Sequence, residues 1–188
     1  MIRHQRSRSN RLGILGMGGR DALADALARR LDDDWHWLRH VSPGAVESVD
    51  AILVGPGGTW ALTEGGERGR FARRNGHWYR WNRSTESWIP WDPVPITGAR
   101  LAARRLGLYL ERAALPGDVR PVLVPSDAMA VQLEAGDGIA VLIERDPERL
   151  AAQVLANAVL SRPQIDRIVA LLDPRQPLPQ LAPSTPHG

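Results

Sequence analysis

The chain has 188 residues, 43% hydrophobic and 24% charged, enough for one domain with its own core and too few for two of ordinary size. No apolar run reaches the roughly 18 residues of a membrane helix, and without cysteine there are no disulfides and no thiolate metal or nucleophile sites, so a soluble protein of a reducing, cytoplasmic compartment is expected. All 24 basic residues are arginine, so the +3 net charge sits on side chains that do not deprotonate and no lysine exists to act as a catalytic amine; a coding bias toward G and C accounts for this more simply than a phosphate-binding role.

In chain order, residues 1–18 are basic, then briefly apolar, and are expected to form a disordered arm without the features of a secretory leader. "DALADALARRL" places Leu23, Leu27 and Leu31 at fourfold spacing, the stripe of an amphipathic helix, which Asp32, Asp33 and Asp34 end. "WHWLRHV", "VDAILV" and "TWAL" read as three strands, the last two joined through Pro56, Gly57 and Gly58, and "RGRFARRNGHWYRW" as a hairpin folded at Asn75-Gly76. "STESWIPWDPVP" reads as irregular. "TGARLAARRLGLYLERAAL" predicts a helix burying Ala102, Leu106, Tyr109 and Ala113, with Arg100, Arg104, Arg105 and Glu111 opposite. "RPVLVP" and "GIAVLI" follow as short buried strands, then helices over 147–160 and 162–172, the first with Pro147 near its start. A Pro-rich tail over 174–188 is expected to be disordered.

"GILGMGGRDALADAL" imitates a dinucleotide-binding turn, but only Gly16 and Gly18 fit. Asp21 stands at the third glycine position, where a pyrophosphate would be repelled, and the following strand ends in Arg39, His40 and Val41 without the acid that holds a ribose. Glycines that free the chain ahead of a helix explain the turn. His36 and His40 are four apart on a strand that runs into a loop, which makes them structural residues and not a ligand pair.

The order helix, strand, acid-bearing strand, Pro-Gly-Gly hairpin, third strand, Trp-containing basic hairpin, Pro-rich stretch and long helix, with "VDAILVGPGGTWAL" its most telling piece, resembles the nuclease-related (NERD) domain over residues 19–173. The resemblance implies the α/β fold of the PD-(D/E)xK nucleases, a restriction-endonuclease-like mixed β-sheet core flanked by α-helices. It also implies a metal, magnesium, held by carboxylates on adjoining strands, with a lysine two residues past the second carboxylate to orient or activate the water. Aligned on the Pro-Gly-Gly turn, Asp50 stands at the metal-binding acid, and the Glu-x-Lys motif falls on Thr63, Glu64 and Gly65. Glu64 then points to the opposite face of a regular strand, and Arg20 stands where the family tends to open its first helix with Gly-Glu. The site reads as vestigial, with no catalytic residue and no cofactor. The alternative is a metal-dependent nuclease with a relocated site at Asp50 and Glu64, made possible by a bulge at Gly65-Gly66.

Between residues 68 and 91, arginines Arg68, Arg70, Arg73, Arg74, Arg80 and Arg83 alternate with Trp78, Tyr79, Trp81, Trp88 and Trp91. This mixture grips phosphates and stacks bases of single-stranded nucleic acid, while packing of the tryptophans into a small core competes with it. Arg68, Arg70, Arg73, Arg74, Arg80, Trp81 and Arg83 are the candidate nucleic-acid contacts. The expected partners are DNA, RNA or another protein, not a membrane.

Overall fold

The computed structural model describes residues 13–15, 22–42, 48–134 and 141–173. In chain order the elements are β1 (Gly13–Leu15), α1 (Ala22–Ala28), β2 (His36–Val41), β3 (Val49–Gly55), β4 (Gly58–Gly65), β5 (Gly69–Arg74), β6 (His77–Asn82), β7 (Ser87–Pro90), α2 (Val94–Arg112), β8 (Val119–Pro125), β9 (Met129–Leu133), β10 (Leu142–Ile143), α3 (Pro147–Leu155) and α4 (Arg162–Leu172). They build two sheets, β1-β2-β3-β4-β8-β10 and β7-β6-β5-β9. The architecture is mixed α/β, and the four strands expected to form its centre are adjacent: β2, β3 and β4 antiparallel, β8 parallel to β4.

β3 is a nearly continuous apolar run because helices cover both faces of its sheet. On one side Trp37, Leu53, Trp60 and Leu62 pack against Ala24 and Leu27 of α1 and Leu150 and Val154 of α3. On the other, Leu38, Ile52, Val54 and Ala61 pack against Leu106 and Leu110 of α2 and Ile165 and Ile168 of α4. A third cluster of Phe71, Met129, Leu123, Ile96, Ala99 and Val141 lies beneath the second sheet. No helix among the described residues is long and apolar enough to cross a membrane.

The two sheets share one interrupted ladder. β4 pairs β8 from Thr59↔Val119 to Gly65↔Pro125, and β5 pairs β9 from Gly69↔Met129 to Arg73↔Leu133, so the offset between partners is unchanged across the gap. The intervening residues turn the corner together, held by Ser126 N–H donating to Gly65 O and Gly69 N–H to Ala128 O, both at 2.9 Å. Gly65 and Gly66 supply the bend with φ of 114° and 148°, a region that side-chain-bearing residues avoid.

Several expectations are corrected. Within the arm expected to be disordered, Gly13–Leu15 adds a strand parallel to β2, an apolar triplet extending the sheet edge; the rest of the arm and the tail lie outside the described residues. The stretch expected to be irregular holds β7, where Pro90 is tolerated because the strand is an edge and leaves one side unpaired. α2 starts one turn early because the Glu67 carboxylate accepts Val94 N–H at 3.0 Å, and Pro95 is harmless in a first turn. Its buried stripe is Ile96, Ala99, Ala103, Leu106 and Leu110, with Ala102, Tyr109 and Ala113 at the margin; Arg100, Arg104, Arg105 and Glu111 are exposed as expected. β9 was not foreseen. α3 stops at Leu155, since Val159 and Leu160 N–H both donate to Pro56 O, at 2.7 and 3.1 Å, and clasp the Pro-Gly-Gly turn. Of "GIAVLI", the strand comprises Leu142 and Ile143, with residues 138–140 outside the described set.

Candidate functional site

Two regions drew attention in the sequence, and they lie on different sheets. The first is the end of β3 and β4. Register between these strands stops at Ala51↔Leu62, which leaves the Glu64 N–H without a backbone partner on β3. The Asp50 carboxylate takes its place, accepting that N–H through Oδ2 at 2.9 Å. Asp50 is two residues from Ile52 and Thr63 two from Ala61, both in the cluster under α2 and α4; Glu64 is two residues from Leu62, in the cluster under α1 and α3. Strand alternation therefore puts Asp50 and Thr63 on one face and Glu64 on the other, where it pairs with Arg39 of β2. The bend at Gly65-Gly66 lies past Glu64 and does not bring it back.

Magnesium at a phosphate calls for two or more carboxylates converging from one side. Here one carboxylate is engaged by a backbone amide, the second is salt-bridged on the opposite face, Thr63 supplies a neutral hydroxyl, and Gly65 has no side chain. These residues do not fit a magnesium site. Arg20, like the glycine-rich turn of Gly16, Gly18 and Asp21, lies outside the described residues.

The second region is the second sheet. Cross-strand register puts Ala72 opposite Tyr79 and Arg74 opposite His77, with Trp81 opposite Trp88, while Phe71 lies opposite Arg80 and Arg73 opposite Trp78. Alternation then separates two faces. The inner face carries Phe71, Trp78, Met129 and Val131 onto the third cluster. The outer face presents Arg70, Arg74, His77, Tyr79, Trp81 and Trp88, none of which belongs to a buried cluster.

On that outer face Trp81 and Trp88 meet edge to face, centroids 5.4 Å apart. The Arg70 guanidinium lies 5.5 Å from the Trp81 ring and 6.0 Å from Trp88, and that of Arg74 lies 5.0 Å from Trp88. Stacking uses the flat face of a guanidinium and leaves its in-plane N–H groups pointing outward, the arrangement that grips phosphate oxygens. Arg74 also has Glu134 at 3.8 Å, exposed on both sides and therefore weak.

Where β5 begins and β6 ends, Arg68, Arg70, Arg80 and Arg83 line a groove of about 470 Å³ together with Trp81 and Asn82. Arg80 is fixed there by donation to Arg68 O at 3.2 Å and by stacking 4.8 Å from the Trp91 ring. Trp91 is in turn held through Nε1 to Glu67 Oε2 at 2.9 Å. Gly69 lies close beneath, since a Cβ there would meet Arg80 Nε at 3.3 Å.

Of the arginines singled out in the sequence, the structure brings Arg68, Arg70, Arg80 and Arg83 to the groove with Trp81, and puts Arg74 further along the outer face. Arg73 is on the inner face beside Trp78. The tryptophans divide: Trp78 packs against the core, Trp81 and Trp88 are half-buried on the outer face, and Trp91 is exposed. Sequence reasoning left Trp88 and Asn82 out of the site; pairing the strand containing Trp88 with "HWYRWN" would have found Trp88. His36 and His40 do not converge: His36 lies near Asp34, Arg162 and Asp166, and His40 is exposed with φ of 49°. No family model matches the chain, and neither does any curated protein or solved structure.

Proposed function

We infer that this chain is a catalytically silent protein of the nuclease-related type that binds nucleic acid through the outer face of its second sheet. The observation that carries the reading is the array of Arg70 and Arg74 stacked on Trp81 and Trp88, on a sheet face that contributes none of these side chains to the core. Trp78, by contrast, lies on the inner face and packs against the third cluster. Recognition of this kind addresses phosphates and ring faces, which every sequence shares, so binding is tolerant of sequence and driven by counterion release. Silence is supported by the separation of Asp50 from Glu64 and by the absence of any lysine from the chain.

The experiment is equilibrium binding of labelled single-stranded and duplex DNA and RNA across a salt titration. Micromolar or tighter binding that weakens steeply with salt is expected. No binding at low salt, or an affinity indifferent to ionic strength, would rule the reading out.

A further inference from the structure

We propose that the groove formed by Arg68, Arg70, Arg80 and Arg83 binds a phosphomonoester dianion at the end of a nucleic-acid strand. The proposal rests on the nucleic-acid reading and extends it from a face that tracks a strand to a pocket that stops one.

Four arginines, Arg68, Arg70, Arg80 and Arg83, line a groove of about 470 Å³ whose lining contains no Asp, Glu or His. Among the described residues none of the four has a carboxylate partner. Gathering cations without neutralising them raises the local potential, and a bound anion relieves it. An internal phosphodiester carries a single charge, and successive ones are strung along a strand, which suits the spaced pair Arg70 and Arg74. A terminal phosphomonoester concentrates about −1.5 to −2 charges and three acceptor oxygens at one point, which suits a groove lined by four arginines and no acid.

The lining is rich in donors for such a group. The Arg70 and Arg80 guanidinium groups lie over the Trp81 and Trp91 rings, and a guanidinium has five N–H groups, of which Arg80 spends one on Arg68 O. The Asn82 carboxamide oxygen already accepts Ser84 N–H at 2.9 Å, so what this lining residue has left to offer an anion is its NH2. The volume falls in the range of single small-ligand sites. Arg70 lines the groove and also stacks on the outer-face tryptophans, so a strand lying along Arg74 and Trp88 leads into it.

The test uses one oligonucleotide sequence with a 5′-phosphate, a 3′-phosphate or hydroxyls at both ends, bound to the full chain at fixed moderate salt. One phosphorylated form should bind about tenfold tighter than the hydroxyl form, the effect of a few charge-assisted hydrogen bonds. The increment should vanish in Arg68→Ala/Arg83→Ala, two exposed positions whose backbone contacts survive, whereas Arg74→Ala should weaken all three oligonucleotides alike. It should also shrink below pH about 6, where the monoester takes up its second proton, while the hydroxyl form stays level. Equal binding of all three forms would overturn the proposal, as would a uniform loss in Arg68→Ala/Arg83→Ala. A nucleoside monophosphate that competes as well as the phosphorylated strand would overturn it too, by making the free nucleotide the ligand. If none of the three oligonucleotides binds, the nucleic-acid reading itself fails.

Discussion

The Asp50 carboxylate accepts the backbone N–H of Glu64 at 2.9 Å, so this acid serves as a structural acceptor where the β3–β4 ladder opens. Asp50→Ala leaves that N–H without its partner and should lower stability by about 1 kcal/mol, the usual net worth of such a bond at a partly exposed site. Denaturant unfolding of the two proteins measures it. Incubation of the wild type with DNA or RNA and magnesium or manganese should give no cleavage above background. Cleavage that Asp50→Ala abolishes while remaining folded would show that the carboxylate is catalytic, and Glu64 would then be the ligand to test next.

A Glu-x-Lys motif at this point of β4 would require Thr63→Glu and Gly65→Lys. Nothing lies within 4 Å of a Cβ at Gly65, so space is not the obstacle. The backbone is: its φ of 114° costs a side-chain-bearing residue about 1–3 kcal/mol. Gly65→Lys should therefore destabilise the chain by that order in thermal or denaturant unfolding. Gly66→Ala should do so more severely, because its Cβ would also meet Met129 Sδ at 2.5 Å. A Gly65→Lys protein as stable as the wild type would mean that the corner is not fixed as described.

The centre of the fold was legible because strongly patterned segments carry their own boundaries. "VDAILV" and "TWAL" around Pro56-Gly57-Gly58 could pair in only one way, and Gly57 has no room for a side chain between Trp35 and the Val154 carbonyl. What sequence did not reveal depends on partners distant in the chain. α2 starts at Val94 because Glu67 reaches its first turn, α3 stops because Pro56 O accepts Val159 and Leu160, and β9 exists because β5 offers it an edge. At the candidate site, the arginine–tryptophan alternation was visible, but which side of the sheet faces the core was not. That choice rests on Met129 and Ile96, far along the chain, which draw Phe71 and Trp78 inward and leave Arg70 and Trp81 outside.

His36 gives the fold a pH dependence whose direction is fixed by its surroundings. Burial lowers its pKa below the ordinary 6.5, and the Arg162 cation adds to this, partly opposed by Asp166 and Asp34. Its Nε2 is buried without a partner among the described residues. Between the lowered folded value and 6.5 the unfolded chain binds a proton that the folded chain does not, so stability rises with pH across that window. The contribution is fully present above pH 6.5 and is lost as pH falls through the folded pKa. Unfolding midpoints of wild type and His36→Gln, measured from pH 5 to 8, should diverge on the acid side, with the wild type the more acid-sensitive. Parallel curves would contradict the assignment.

Arg70 and Arg74 stand on the outer face of β5, and Arg73 between them faces inward. Each arginine that contacts a phosphate adds roughly one unit to the slope of log affinity against log salt. Arg70→Ala/Arg74→Ala should flatten that slope by about 2 and weaken binding of all sequences alike, without unfolding the chain, because both side chains are exposed. Trp81→Ala/Trp88→Ala removes the rings on which the two guanidinium groups rest, so it should weaken binding by about 1–3 kcal/mol for each base stacked while leaving most of the salt slope in place. The two double variants thus separate charge from stacking in one titration series. Arg73→Ala is the internal comparison: if it flattens the slope as much as Arg70→Ala/Arg74→Ala does, the outer face is not the surface that meets the phosphates.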